Sequence, residues 1–305
     1  MAAEPSSTVA SIAAVPWWHS VVAGNMGGIV GLAISFPLDT LKVRMMMEPD
    51  KYVSLGATLR SMVASEGPAS LYRGLTAPVA GYGVINAVAF GSFEWAKSWL
   101  DEVVDETRAG SMAQVVIPAA AFAGLVQSFV RGPVELAKTV QQAWHNPGNA
   151  RAPPFKSAFH GIAHVVRNDG PSALFRGLGA TIAREVPQYA IYYPTYALLK
   201  PALTDALPSK YAPVAVAAAG ALAGSAQWVP TIPVDVIKTR MQGAPAGTYT
   251  SVVHCARTLW AEQGLATFFK GTAPALIRAA PLHAGVFLGY DTTMKLLAST
   301  STASQ

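Results

Sequence analysis

The chain has 305 residues, of which 13% are charged and 51% hydrophobic, and its mean hydropathy is +0.32. That is about half the charge of an ordinary soluble protein, which excludes a disordered chain and argues against a soluble two-domain enzyme. One cysteine, Cys255, cannot close an intrachain disulfide, and six scattered histidines form no metal-ligand cluster.

In chain order, residues 5–38, 74–93, 109–130 and 211–234 are free of charge. Each is long enough, at about 1.5 Å per residue, to cross a hydrocarbon core of roughly 30 Å. Two further apolar stretches, 177–199 and 271–290, carry Arg184 and Glu185 in one and Arg278 in the other. Ionisable groups at such depth are costly and by default mark function. The expected fold class is therefore an all-α membrane protein with six spans. The long connections 39–73, 131–176 and 235–270 carry a net charge of +7, and the tails with the short connections carry −3. An even number of spans puts both termini on one side, opposite the basic connections.

The chain is one unit written three times. Each odd span ends in a Pro-x-acid-x-x-Lys motif: Pro37 with Asp39 and Lys42, Pro133 with Glu135 and Lys138, Pro233 with Asp235 and Lys238. An aromatic (Tyr52, Phe155, Tyr249) stands 14 residues before Glu66, Asp169 and Gln263, each followed by glycine, and a basic–Gly pair closes each connection: Arg73-Gly74, Arg176-Gly177, Lys270-Gly271. Twenty residues beyond those glycines come Glu94, Ala197 and Asp291, each preceded by an aromatic, Phe93, Tyr196 and Tyr290. A Pro/Asn/Gly stretch around Asn146–Pro154 reads as a loop insertion in the second unit.

With these motifs the sequence resembles the mitochondrial carrier family, also called solute carrier family 25, over about residues 17–298. The third copy, Pro233 to Gln242, has the full motif; the first has Met46 in place of the closing Gln, and the second has Val140 where Arg is usual. The resemblance implies a pseudo-threefold barrel of six tilted helices with three short matrix helices, for which 52–65, 155–168 and 249–262 are the expected segments. The units would be a tail 1–16, repeats 17–108, 109–209 and 210–298, and a tail 299–305. It also implies a monomer in the mitochondrial inner membrane with cardiolipin about it, no cofactor and no nucleic acid. A peroxisomal or plastid membrane remains open.

Proline in a helix removes one backbone bond and bends the segment. Past each bend an acid and a lysine three residues on share a face. Threefold symmetry brings the acid of one unit near the lysine of the next, so Asp39, Lys42, Glu135, Lys138, Asp235 and Lys238 can close a matrix-side ring. The resemblance makes Gln142 and Gln242 braces beneath it. The opposite, cytoplasmic gate is complete only in Phe93-Glu94-Trp-Ala-Lys97. Tyr196 is followed by Ala197 with Lys200, and Tyr290 by Asp291 with Met294, so at most two inter-unit bridges can form there. The substrate-free chain is expected to be closed at the matrix ring and open at the other end.

An unsymmetric solute must be read by residues that break the threefold symmetry. Thirteen residues before Glu94, Ala197 and Asp291 lie Gly81, Arg184 and Arg278, with Tyr82, Glu185 and Ala279 beside them and Asn86 one turn on. Adjacent helix residues diverge by about 100°, so Arg184 and Glu185 are expected to be poorly placed to neutralise one another. A small zwitterionic or cationic metabolite could use both: guanidinium on its carboxylate, Glu185 on its ammonium. A permanent Glu185–Arg278 bridge is the structural alternative. Within the family, Pro133 to Thr139 and Ile85 to Gly91 resemble the basic amino-acid carriers, and Arg278-Ala-Ala-Pro281 the carnitine/acylcarnitine carriers. Gln127 reads equally as lining or as an interhelical bond. Arg131 reads as a cation for an anionic group or, the preferred reading, as a side chain reaching the interface. Trp228 and the pairs Gly24/Gly28 and Gly220/Gly224 read as packing. The expected function is that of an antiporter without covalent chemistry, for arginine, lysine or ornithine, with a carnitine exchanger or a non-transporting adaptor as rivals.

Overall fold

A computed structural model describes residues 17–104, 111–143, 157–208, 211–245 and 247–303. Among them the chain is helical throughout. Long helices α1 (Trp17–Met47), α3 (Thr76–Val103), α4 (Ile117–Ala143), α6 (Leu178–Ala206) and α7 (Ala212–Gly243) are joined by a broken sixth, α9 (Thr272–Ile277) and α10 (Ala279–Ala303). Short helices α2 (Leu55–Glu66), α5 (Ala158–Asp169) and α8 (Val252–Gln263) fill the long connections. The segments Val21–Met47, Pro68–Val103 and Met112–Gln142 are long and apolar enough on their own to cross a membrane. The other three long elements carry charges or several prolines, Pro187, Pro194 and Pro201 in α6 for example.

The break in the sixth element has a local cause. Pro281 has no N–H for the carbonyl of Ile277, so the ladder lapses there. It resumes on either side, with Arg278 N–H on the Pro274 carbonyl (3.1 Å) and Leu282 N–H on that of Arg278 (3.1 Å).

The six long elements close a ring in the order α1, α3, α4, α6, α7, α9/α10 and back to α1. The broad seams are α3–α4, α4–α6, α6–α7 and α10–α1; α1–α3 and α7–α10 are slimmer. The three proline-bearing helices α1, α4 and α7 also meet one another pairwise, which requires that they converge. The closest approach lies between α1 and α10. A methyl on Gly285 would fall 2.6 Å from the Gly31 Cα, and one on Gly289 would fall 2.9 Å from the Gly27 Cα. Only glycine permits backbones this near. Of the expected Gly24/Gly28 pair, Gly28 does serve packing, receiving the Tyr82 ring across the α1–α3 seam, whereas nothing lies near Gly24. Gly220 and Gly224 do pack, against His283.

The short helices show why the repeat is so regular. Ser54, Ser157 and Ser251 each cap a helix, accepting from the N–H groups of Ala57 (3.3 Å), His160 (3.2 Å) and His254 (3.1 Å). The helices thus begin at 55, 158 and 252, three residues later than expected, because the capping serine and not the aromatic sets the start. Phe155 and the Asn146–Pro154 insertion lie outside the described residues, as do 1–16. Gly67, Gly170 and Gly264 end these helices at φ of 78°, 83° and 69°, and Gly74, Gly177 and Gly271 open the next long element at 87°, 77° and 81°. Side chains rarely tolerate that region, so the repeated glycines are a backbone requirement. Each short helix packs on the end of its own repeat's odd helix: Met62 with Leu41 and Met45, Val165 with Leu136 and Val140, Cys255 and Leu259 with Ile237 and Met241. Cys255 is accordingly buried on α8.

Candidate functional site

Where α1, α4 and α7 converge, the acid after each proline meets a lysine of another repeat. Lys138 Nζ lies 2.8 Å from Asp39 Oδ2, Lys238 Nζ 2.8 Å from Glu135 Oε2, and Lys42 Nζ 2.6 Å from Asp235 Oδ2. The three ion pairs close a circle. Below it, Gln142 Nε2 donates to Thr40 Oγ1 (2.9 Å) and Gln242 Oε1 accepts from Thr139 Oγ1 (3.4 Å), so both glutamines join neighbouring repeats through hydroxyls.

Further cations crowd onto the same acids. Arg184, 3% exposed, donates to Asp235 Oδ1 (2.6 Å) and Glu135 Oε1 (2.8 Å), and Arg278 reaches Asp39 Oδ1 (3.1 Å). Arg184 also pairs with Glu185, contrary to the expectation from helix geometry. The 100° divergence fixes only where the two side chains leave the backbone; the guanidinium stem has enough torsions to turn back. The structural alternative, a Glu185–Arg278 bridge, does not occur, since Arg278 is drawn to Asp39. Arg131 also departs from its preferred reading: it turns inward, donating through Nε to Gln127 Oε1 (2.9 Å) and lying 3.4 Å from Glu185 Oε2. Gln127 itself bonds to Glu185. Trp228 is more than packing. Its ring has Lys42 Nζ at 3.8 Å, with Arg278 and Arg184 at 5.9 and 6.0 Å, so its face is shared by three cations.

Gly81 is not part of this cluster. A Cβ there would fall 2.9 Å from Val134 Cγ2, so the absent side chain serves the α3–α4 seam. Tyr82 stands next to Asn86 and leans across to α1; Asn86 is half-buried.

The opposite end of the barrel is built differently. Lys97 pairs with Asp101 on its own helix (3.0 Å), and Asp291 pairs with Lys295 (2.6 Å), one residue beyond the Met294 that breaks the motif. Glu94 is exposed, and Lys200 lies over the Tyr196 ring at 5.9 Å. Among the described residues no ion pair joins one repeat to another here. Contact between α3 and α6 is aromatic, Phe93 on Tyr193 at 4.3 Å, while Tyr290 rests near Gly27.

Sequence reasoning missed Lys295, Thr40 and Thr139, and also the clamps that tie each short helix down. Glu66 holds both Arg44 and Arg73; Asp169 holds Arg176 (3.0 Å); Gln263 holds Arg240 (2.9 Å). For Glu66–Arg73 and Asp169–Arg176 the signal was present, since the acid precedes its arginine by seven residues across the glycine turn. Val140 removes the second repeat's counterpart of Arg44 and Arg240. Among the described residues no group of three His, Cys, Asp or Glu is placed to hold a metal ion.

Two features thus coexist: three repeats tied at one end by buried charge, and a deep, asymmetric cluster of arginines with one extra carboxylate above it. The family described as "Mitochondrial carrier protein" matches three times, at residues 13–103, 111–207 and 209–301. Mitochondrial arginine transporter BAC2 of Arabidopsis thaliana is 32% identical, covering 93% of each chain. Mitochondrial basic amino acids transporter of Bos taurus is 32% identical over 87% of this chain and 88% of its own. Solute carrier family 25 member 48 of Mus musculus is 29% identical, over 90% of this chain and 94% of its own. With three matched repeats and relatives of this similarity over nearly its full length, the chain belongs to the mitochondrial carrier family.

Proposed function

We propose that the chain exchanges basic amino acids of the arginine, lysine and ornithine type across the mitochondrial inner membrane, by alternating access and without covalent chemistry. It spans the membrane six times as a monomer, with both termini toward the intermembrane space and cardiolipin about it. In this reading Asp39, Lys42, Glu135, Lys138, Asp235, Lys238, Gln142 and Gln242 form the matrix gate. Phe93, Glu94, Lys97, Tyr196, Lys200, Tyr290 and Asp291 belong to the cytoplasmic gate. Arg184, Glu185 and Arg278 bind the solute, with Tyr82 and Asn86 beside them; Gly81 serves only by leaving room.

The observation that carries the reading is the double engagement of Arg184, on Glu185 and on two acids of the ring. A substrate carboxylate competes for that guanidinium, and the substrate's α-ammonium takes Glu185. As Arg184 withdraws, Glu135 and Asp235 each lose a cation, and the side-chain cation of a dibasic amino acid can stand in its place. At mid-depth α3 offers that cation no acid, only Tyr82 and Asn86, so the ring acids are what receives it. Substrate binding then weakens the ring that holds the repeats together, which is the differential interaction a conformational change requires. The names of two relatives, an arginine transporter and a basic amino acids transporter, support the same class.

The test is counter-exchange by the full chain in liposomes loaded with arginine, lysine, ornithine or carnitine. Exchange of the dibasic amino acids is the expected result. Exchange of carnitine alone moves the substrate to the rival branch, and no exchange of any metabolite leaves a non-transporting adaptor.

A further inference from the structure

The inner cluster sets six cations, Lys42, Lys138, Lys238, Arg131, Arg184 and Arg278, against four acids, Asp39, Glu135, Asp235 and Glu185. Three of the cations are ring lysines, and two stand at equivalent positions of the even helices. Arg131 belongs to neither set. It sits on α4 two residues before Pro133, where α1 has Ser35 and α7 has Thr231. Those two hydroxyls are spent within the protein: Ser35 donates to the Leu32 carbonyl (3.2 Å), and Thr231 donates to the Gln227 carbonyl (2.7 Å) and accepts from Gln188 (2.9 Å). At this level of the odd helices, only α4 offers a charge.

What Arg131 faces is Glu185. One oxygen of that carboxylate, Oε1, meets Arg184; the other, Oε2, meets Gln127 and lies 3.4 Å from Arg131. Gln127 is held in turn, because its carbonyl accepts from Arg131 Nε at 2.9 Å. Glu185 is 1% exposed, whereas the Arg131 side chain keeps 28% of its surface open. A carboxylate lying between two guanidinium groups is a carboxylate-binding site, occupied here by the protein's own side chain.

We propose that Arg131 is a specificity-determining residue: with Arg184 it receives the carboxylate of the substrate in the place Glu185 holds when no substrate is bound. The inference rests on the amino-acid reading above and extends it to a residue outside the even-helix positions. The substitution conserves ion pairs. The incoming carboxylate takes both guanidinium groups, and the displaced Glu185 takes the incoming ammonium, so no charge is left buried alone. An amine without a carboxylate cannot make this exchange. It would have to pull Glu185 from two arginines, leaving Arg131 with Gln127 but no ion pair, and Arg184 with only the ring acids Glu135 and Asp235. The carboxylate is therefore a condition of entry, and Arg131 enforces it.

The experiment compares arginine with agmatine, and lysine with cadaverine, pairs that differ by the carboxylate alone. The wild type should prefer the amino acid of each pair. Arg131→Gln should raise KM for arginine by about tenfold to a hundredfold, as expected for the loss of one charged hydrogen-bonding partner. The value for agmatine should stay or fall, kcat should change less than KM, and the preference within each pair should collapse. Arg131→Lys should restore part of it, and carries the comparison if the Gln variant does not fold. An unchanged preference, or an equal loss for both members of a pair, overturns the inference and leaves the substrate class standing. A wild type that exchanges carnitine instead overturns the substrate class alone, and carnitine is then compared with choline. A wild type that moves no carboxylate-bearing solute overturns both.

Discussion

The two ends of the barrel are both charged and use their charges in opposite ways. At the converging end each acid finds a cation in another repeat, and the pairs are nearly dry: the side chains of Asp235 and Lys42 are 2% and 7% exposed. At the other end Lys97 and Asp101 pair along one helix at 37% and 26%, and Lys295 and Asp291 at 75% and 46%. A pair within one helix cannot hold two helices together, whatever its distance. The structure is thus tied at one end and untied at the other by the placement of partners, with similar residue types at both.

That contrast can be broken most severely at Glu185. Glu185→Gln should lower exchange by roughly a hundredfold or more, because an amide cannot take the ammonium and leaves Arg184 and Arg131 each one carboxylate short. Asp291→Asn at the untied end should leave exchange within a factor of about three, consistent with the small worth of an exposed helix pair. Near-normal exchange by the Glu185 variant would remove that residue from the site. In stability the same contrast should appear as a difference in thermal unfolding of the purified chain. Asp235→Asn strands Lys42, takes one of three acids from Arg184 and should cost about 3–5 kcal/mol, whereas Asp291→Asn should cost no more than about 0.5 kcal/mol. Equal shifts would mean that the ring does not hold the repeats.

Smaller effects sharpen the picture of the seams. Gly285→Ala forces a methyl against Gly31 and should destabilise by about 1–3 kcal/mol. Gly24→Ala, with nothing within 4 Å, should be neutral or stabilising by up to about 1 kcal/mol. The reverse order would place the close approach on the wrong face of α1. The mildest probe is chemical. Asn86→Cys should react with a membrane-impermeant thiol reagent from the side that carries Glu94 and Lys97. Native Cys255 should contribute little at neutral pH, because burial pushes its thiol up to about 11 and leaves it protonated. Faster labelling from the opposite side would show that the untied end is not the open one.

Much of this was legible in the chain because backbone demands are written as residue types. Pro37, Pro133 and Pro233 mark bends, and six glycines mark positive φ, so the three repeats and their spacing could be read directly. The starts of the short helices are less legible, because serine is common outside caps and the aromatic three residues before each helix reads equally as its start. The direction of long side chains was not legible. Arg184 reaches residues 49 and 51 positions away, and nothing local says whether it turns toward Glu185 or away. Arg131 looked like an interfacial cation because it sits near the end of a span; only packing of α4 on α6 shows that Glu185 lies within its reach. The Lys295 pairing escaped because it stands one residue outside the motif, in register for its own helix and for no other.

The glycine-lined joint between α1 and α10 unites the earliest and latest of the described helices. During synthesis α1 must therefore stand with a bare flank until residues 285–289 emerge, long after its other neighbours have been made. Whatever shields that flank in the interval, lipid or an insertion factor, has to leave before the wall is sealed, and assembly of this barrel ends with an act of closure that no partial chain can perform.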